Sequence, residues 1–241
     1  MQMNSTTRAQ SVHSGVAEWL SLPEVPFFPF GKSIPEMFRH SSLDQERTSS
    51  HEQDVLILLH LLHLKCFHLY QHSLRVHDLA RQFAHHLSLP QKEISLIELA
   101  ALLHDAGKML LSADILQKAG KLTHREFEKV KQHSASGAQL LRGIHMPEKI
   151  ISLVYHHHER WDGSGYPDKI AGTAIPEGAR LITICDAFDA MTASRPYHSA
   201  WTPAQALVEV RRCAGTQFDP FLASQFCSML LSEQIPALAG V

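Results

Sequence analysis

Apolar positions along this chain return every three to four residues, the period of one helix face. Nowhere do they alternate one by one, as a half-buried strand requires. From residue 52 to residue 87 the pattern is helical: Val55, Leu58, Leu59, Leu62 and Cys66 fall at i, i+3, i+4, i+7 and i+11. Leu56, Ile57, Leu61 and Leu64 make that stretch apolar on its other sides. Such a helix is buried deeply or lies in a subunit contact, so residues 52–66 are a candidate homodimer surface. Leu74, Leu79, Phe83 and Leu87 continue the stripe up to Pro90. A helix over residues 93–104 puts Ile94, Ile97, Ala101 and His104 on one face, and a short helix over 114–119 ends at Gly120. Thr123-x-x-Glu126 is a capping box, followed by a stripe of Phe127, Val130, Ser134 and Gly137. Pro147 suits the first turn of a helix whose Ile150, Val154, His157 and His158 share a face. A helix over residues 177–193 aligns Ala179, Ile182, Asp186 and Asp189; Thr202-Pro203-x-Gln205 and Asp219-Pro220 open the last two. The predicted fold class is all-α.

At 241 residues the chain is long enough for one domain with a full core and an extension. Residues 1–50 read as a partly irregular N-terminal extension, with four prolines and three phenylalanines in residues 22–35; residues 51–241 read as the domain. The formal net charge of −2 offers no basic field for a nucleic-acid polymer. Cys66, Cys185, Cys213 and Cys227 are widely spaced, which suits reduced thiols in a cytoplasm better than disulfides or a zinc knuckle. The longest apolar run, residues 55–64, is broken by His60 and His63 and is too short for a membrane span, and no secretory signal is visible. A cytoplasmic protein is expected.

Eighteen histidines are unusual, and several stand where core residues belong. His104 points the way its apolar neighbours point, with Asp105 next to it; a shared metal or a simple His–Asp hydrogen bond would each account for that pair. The inward-looking polar set is His72, His104, Asp105, His133, His157, His158 and Asp186, from at least five helices. Five imidazoles and two carboxylates suit two neighbouring divalent metals, with one carboxylate as bridge. Ligation by nitrogen and oxygen without thiolate favours Fe, Mn, Ni, Co or Zn over Mg or Ca.

Two motifs, His104-Asp105-Ala106-Gly107-Lys108 and the run from His157 through Trp161, Asp162, Gly163, Ser164, Gly165, Tyr166 and Pro167, resemble the signatures of the HD-GYP family. That family consists of metal-dependent phosphodiesterases that open cyclic di-GMP. The resemblance covers residues 70–226. It implies an HD-domain helical bundle carrying the GYP loop and extra C-terminal helices. It implies two metals, with Fe or Mn expected: His72, His104, Asp105 and Asp186 around one, and Asp105 as bridge with His133, His157 and His158 around the other. The implied reaction is hydrolysis by a metal-bridging hydroxide to linear pGpG, with GMP as a further product in some members. Lys108 is implied as the phosphate contact; Arg195 and Tyr197 are implied as substrate contacts. The loop of Asp162, Gly163, Gly165, Tyr166 and Pro167 is implied to shape the substrate mouth or to dock a diguanylate-cyclase (GGDEF) domain, and Asp162 is a candidate to orient an imidazole. Some members carry Glu four residues before the first histidine, where it helps hold a third metal. Here that position is His68, a candidate extra ligand, which points to two metals and to pGpG. The alternatives are a cyclic di-GMP-responsive binding protein with little turnover and a metallophosphohydrolase acting on another nucleotide.

Overall fold

A computed structural model describes residues 45–193 and 200–238, with side chains placed over 51–193 and 200–232. The Pro/Phe-rich stretch 22–35, and with it nearly all of the expected N-terminal extension, lies outside the described residues. So do Arg195 and Tyr197.

Among the described residues ten α-helices follow one another: α1 (Gln45–Lys65), α2 (Phe67–His86), α3 (Gln91–Leu103), α4 (Ala113–Leu116), α5 (His124–Lys131), α6 (His133–Gly143), α7 (Glu148–His156), α8 (Glu177–Thr192), α9 (Pro203–Arg212) and α10 (Pro220–Leu238). A 3-10 turn (Ala106–Leu110) leaves α3, and a second (Gly172–Ala174) precedes α8. Among the described residues there is no strand, only an isolated bridge between Ala214 and Phe218. The all-α expectation holds.

The centre of the bundle is α3, in which every residue from Ile94 to Leu103 is buried. It packs on α2 and α7, while α8 closes against α2 and α6 packs on α7 and on the first 3-10 turn. The helix starts follow the local sequence. Thr123 and Glu126 form a capping box at α5; Thr202 and Gln205 form one at α9, with Pro203 in the first turn. Pro147 sits at the N-cap of α7, just outside the first turn.

The helical stretch read from residue 52 to 87 is two helices. Cys66 interrupts it in extended conformation, with φ −158° and ψ 96°. No proline or glycine marks the break. The bend lets two stripes face one core: Val55, Leu58, Leu59 and Leu62 on α1, and Leu74, Val76, Ala80 and Phe83 on α2. Packing overrides a helical propensity that would carry the chain straight on. Ile57, Leu61 and Leu64 are left exposed on α1. All four cysteines are free. Among the described residues no helix is long and apolar enough to cross a membrane.

Candidate metal centre

Helix ends deliver most of the site. His72 comes from α2 and Asp186 from α8; His104 and Asp105 follow the last turn of α3; His133 is the first residue of α6; His157 and His158 follow the last turn of α7. Backbone that has just left a helix can aim consecutive side chains at one point, which explains the adjacent pairs 104/105 and 157/158. The ligand atoms of His72, His104 and Asp186 lie within 4.8 Å of one another, as do those of His133, His157 and His158. A third group, His104, Asp105 and His157, links the two. Asp105 stands between them, with Oδ1 3.3 Å from His133 Nε2 and Oδ2 3.5 Å from His104 Nε2 and 3.8 Å from His72 Nε2. His72 Nε2 is 3.0 Å from Asp186 Oδ1.

The outer ring nitrogens fix the tautomers. His104, His133 and His157 each place Nδ1 on the carbonyl oxygen three residues earlier, at 2.7 Å (Ala101), 2.6 Å (Val130) and 2.7 Å (Val154). A carbonyl only accepts, so Nδ1 carries the proton and Nε2 turns a lone pair inward. His72 is held differently: its Nδ1 lies 2.7 Å from Asp189 Oδ2. Asp189 is itself gripped by the Arg75 fork, at 2.6 Å to Oδ1 and 3.0 Å to Oδ2.

Charge divides the site. Burial, and then the Lys108 charge, lowers the His133 pKa to about 4; burial takes His158 to about 3 and pushes His157 well down. These imidazoles are neutral at pH 7, the form that binds metal. At His72 burial also pulls down, but hydrogen bonds to Asp186 and Asp189 outweigh it and raise the value to about 9. Burial alone would raise Asp105, yet Lys108, with its Nζ 2.6 Å from Oδ2, and the neighbouring imidazoles hold it well below the carboxylate range.

Gly107 lets the turn after Asp105 lie directly on α6. A Cβ there would stand 1.9 Å from the His133 carbonyl oxygen. The loop at residues 159–169 depends on a second close approach: a Cβ on Gly165 would meet Arg160 N at 2.4 Å. Glu159, only 2% exposed, accepts from the amides of Asp168 (2.6 Å) and Lys169 (2.9 Å) and so holds the loop's far end. The Tyr166 ring lies 4.8 Å from the His158 ring, and the Tyr166–Pro167 peptide is cis. A cleft of about 460 Å³ opens beside His158 and Tyr166.

The HD domain family matches residues 57–222, most of the chain. The chain belongs to the HD domain family. Among similar curated proteins is the cyclic di-GMP phosphodiesterase response regulator RpfG of Xanthomonas campestris, 41% identical over 150 residues, 61% of this chain and 39% of that protein. Another is a 3'3'-cGAMP-specific phosphodiesterase of Vibrio cholerae, 37% identical over 155 residues, 63% of this chain and 29% of that protein. The chain thus spans less than half the length of these relatives. An HD-G"Y"P protein from Bdellovibrio bacteriovorus has the same fold, with a TM-score of 0.58 at 17% identity over 84% of this chain and 74% of that one.

HD-domain phosphohydrolases depend on metal, and the donors brought together in this HD domain fit one. His104 Nε2 and Asp105 Oδ1 are buried without a hydrogen-bond partner, a costly state for polar atoms unless they ligate. All seven residues read from the sequence as ligands converge. His68 does not: it is exposed on α2 and in none of the described clusters. Asp162 does not orient an imidazole. It is exposed and turns back on its own loop, accepting from Ser164 N at 2.9 Å and from Arg160. That orienting role falls to Asp189. Its signal was present, since it shares a helix face with Asp186, but nothing local tells which carboxylate sits behind His72. Arg75 and Glu159 gave no such signal.

Proposed function

We propose that this chain is a dinuclear-metal phosphodiesterase domain that opens cyclic di-GMP to linear pGpG, with Fe or Mn as its metals. The observation that carries the reading is the pair of donor groups on either side of one shared carboxylate, Asp105. His72, His104, Asp105 and Asp186 would hold one ion; Asp105, His133, His157 and His158 would hold the other. When bound, such ions supply Lewis acidity and an activated water for in-line attack on a phosphodiester. Lys108 is the cation nearest Asp105 and would meet a phosphate oxygen placed over the bridge. The exposed position of His68 supports two ions over three, and with them pGpG as the end product.

Resemblance to cyclic di-GMP enzymes favours that substrate, and similarity to the Vibrio enzyme makes 3'3'-cGAMP the second candidate. The reading places the protein in the bacterial cytoplasm. The GYP loop, exposed at Asp162, Ser164, Asp168 and Lys169, is proposed as a docking surface for a diguanylate-cyclase domain. The exposed apolar residues of α1, Ile57, Leu61 and Leu64, are proposed as a homodimer contact.

The test is turnover of cyclic di-GMP by protein purified without oxygen, with metal counted on the same sample. About two metals per chain and production of pGpG are expected; the His104→Ala/Asp105→Ala double variant should lose both. Two metals without turnover of either cyclic dinucleotide would overturn the substrate assignment.

A further inference from the structure

The sequence stripe through Phe127 anticipates a core residue, yet its ring is 47% exposed. It lines the cleft beside His158, on the same α5 face as Lys131, one turn on. Lys131 Nζ lies 5.4 Å from the Phe127 ring centre and 5.9 Å from that of Tyr166, so an ammonium stands between two aromatic rings. Among the described residues its ion pair, 2.6 Å to Glu128, is at the surface. Exposed pairs of this kind are weak, and the ammonium can exchange Glu128 for another anion. Lys169 adds positive charge along the wall, while Arg160, also there, is paired with Asp162 at 3.1 Å. The acid lining the cleft, Glu159, has one carboxylate oxygen already bonded to two loop amides.

An aromatic face, a cation within reach of it and a cationic wall next to a metal centre match half of a dinucleotide: a base to stack and a phosphate to neutralise. Resting on the function proposed above, we infer that Phe127 and Lys131 form the subsite for the half of a cyclic dinucleotide that is not being cut. Phe127 stacks the base, and Lys131 faces the second phosphodiester. Any purine offers a π face, so this subsite supplies affinity and leaves the choice between guanine and adenine to other contacts.

The experiment measures binding of a slowly hydrolysed phosphorothioate analogue of cyclic di-GMP to metal-loaded protein by calorimetry. Phe127→Ala and Lys131→Met should each weaken binding about tenfold, with metal content unchanged. Phe127→Leu keeps apolar bulk but has no ring, and should lose as much as the alanine variant; Phe127→Trp should restore binding. The corresponding 3'3'-cGAMP analogue should lose affinity by a similar factor. Wild-type affinity in Phe127→Leu and Lys131→Met would overturn the subsite. Wild-type protein that binds neither analogue would instead overturn the functional reading on which the subsite rests.

Discussion

At the scale of single residues, the outer atoms of the imidazoles matter as much as the inner ones. Three histidines donate Nδ1–H to the carbonyl three residues back, a bond the helix end supplies without another side chain. His72 relies on Asp189, so unlike those three it can be disarmed from a distance. Asp189→Asn keeps the volume but removes the charge that Arg75 and His72 share. Orienting partners of this kind are worth about 10- to 100-fold in metal affinity. We expect a loss of that size at one of the two metals, read by anaerobic metal titration, with the helical circular dichroism unchanged. Proton uptake separates the two halves further. His133 and His158, at about 4 and 3, hold no proton at pH 7, so metal affinity on their side should be flat down to about pH 5. His72, at about 9, must give up its proton, so affinity on its side should rise with pH up to about 9. Calorimetric titration in buffers of different ionisation enthalpy would show about one proton released at pH 7. In metal-free protein the depressed values of His133 and His158 lower stability as pH falls from about 6.5 towards 4, because the unfolded chain takes up protons first. The raised value of His72 acts the other way: its contribution is full below about 6.5 and is lost as pH rises through about 9.

At the scale of elements, the site depends on how closely pieces of backbone approach. The turn after Asp105 touches the start of α6 because Gly107 has no side chain, and Gly137 faces it from α6. That contact sets the spacing between Asp105 and His133. In Gly107→Ala a Cβ would have to displace backbone. Overpacking costs typically run about 1–3 kcal/mol, and we expect at least that loss in urea unfolding together with weakened metal binding. Much at this scale was legible: the capping boxes at Thr123 and Thr202, the apolar stripes of α1 and α3, and histidines at helix ends on core-facing positions all read correctly from spacing. The break at Cys66 did not, because nothing in its local chemistry stops a helix. The exposure of Phe127 did not either, because helical period names a face without saying whether that face meets a core or a cleft.

At the scale of the whole molecule, five helices or helix ends converge on a buried centre rich in neutral imidazole and ionised carboxylate. Their lone pairs and charges repel one another, so cations at that point should tie α2, α3, α6, α7 and α8 together. A metal at about 100 times its Kd stabilises the native state by about 2.7 kcal/mol. At about 2–4 °C per kcal/mol for a chain of this size, Mn or anaerobic Fe should raise the melting temperature by about 5–10 °C, measured by calorimetry against chelated protein. No such rise would mean that the donor groups do not act as one centre.

By itself the sequence determined the helical class, most helix positions, the seven converging donors and the glycine-rich loop. These follow from periodicity and from residue types that only a special environment tolerates in a core. Only the tertiary structure decided which carboxylate stands behind His72, that Asp162 serves its own loop, that His68 is exposed outside the donor clusters and that Phe127 faces a cleft. Each of those depends on the distance between segments far apart in the chain, which local spacing does not encode.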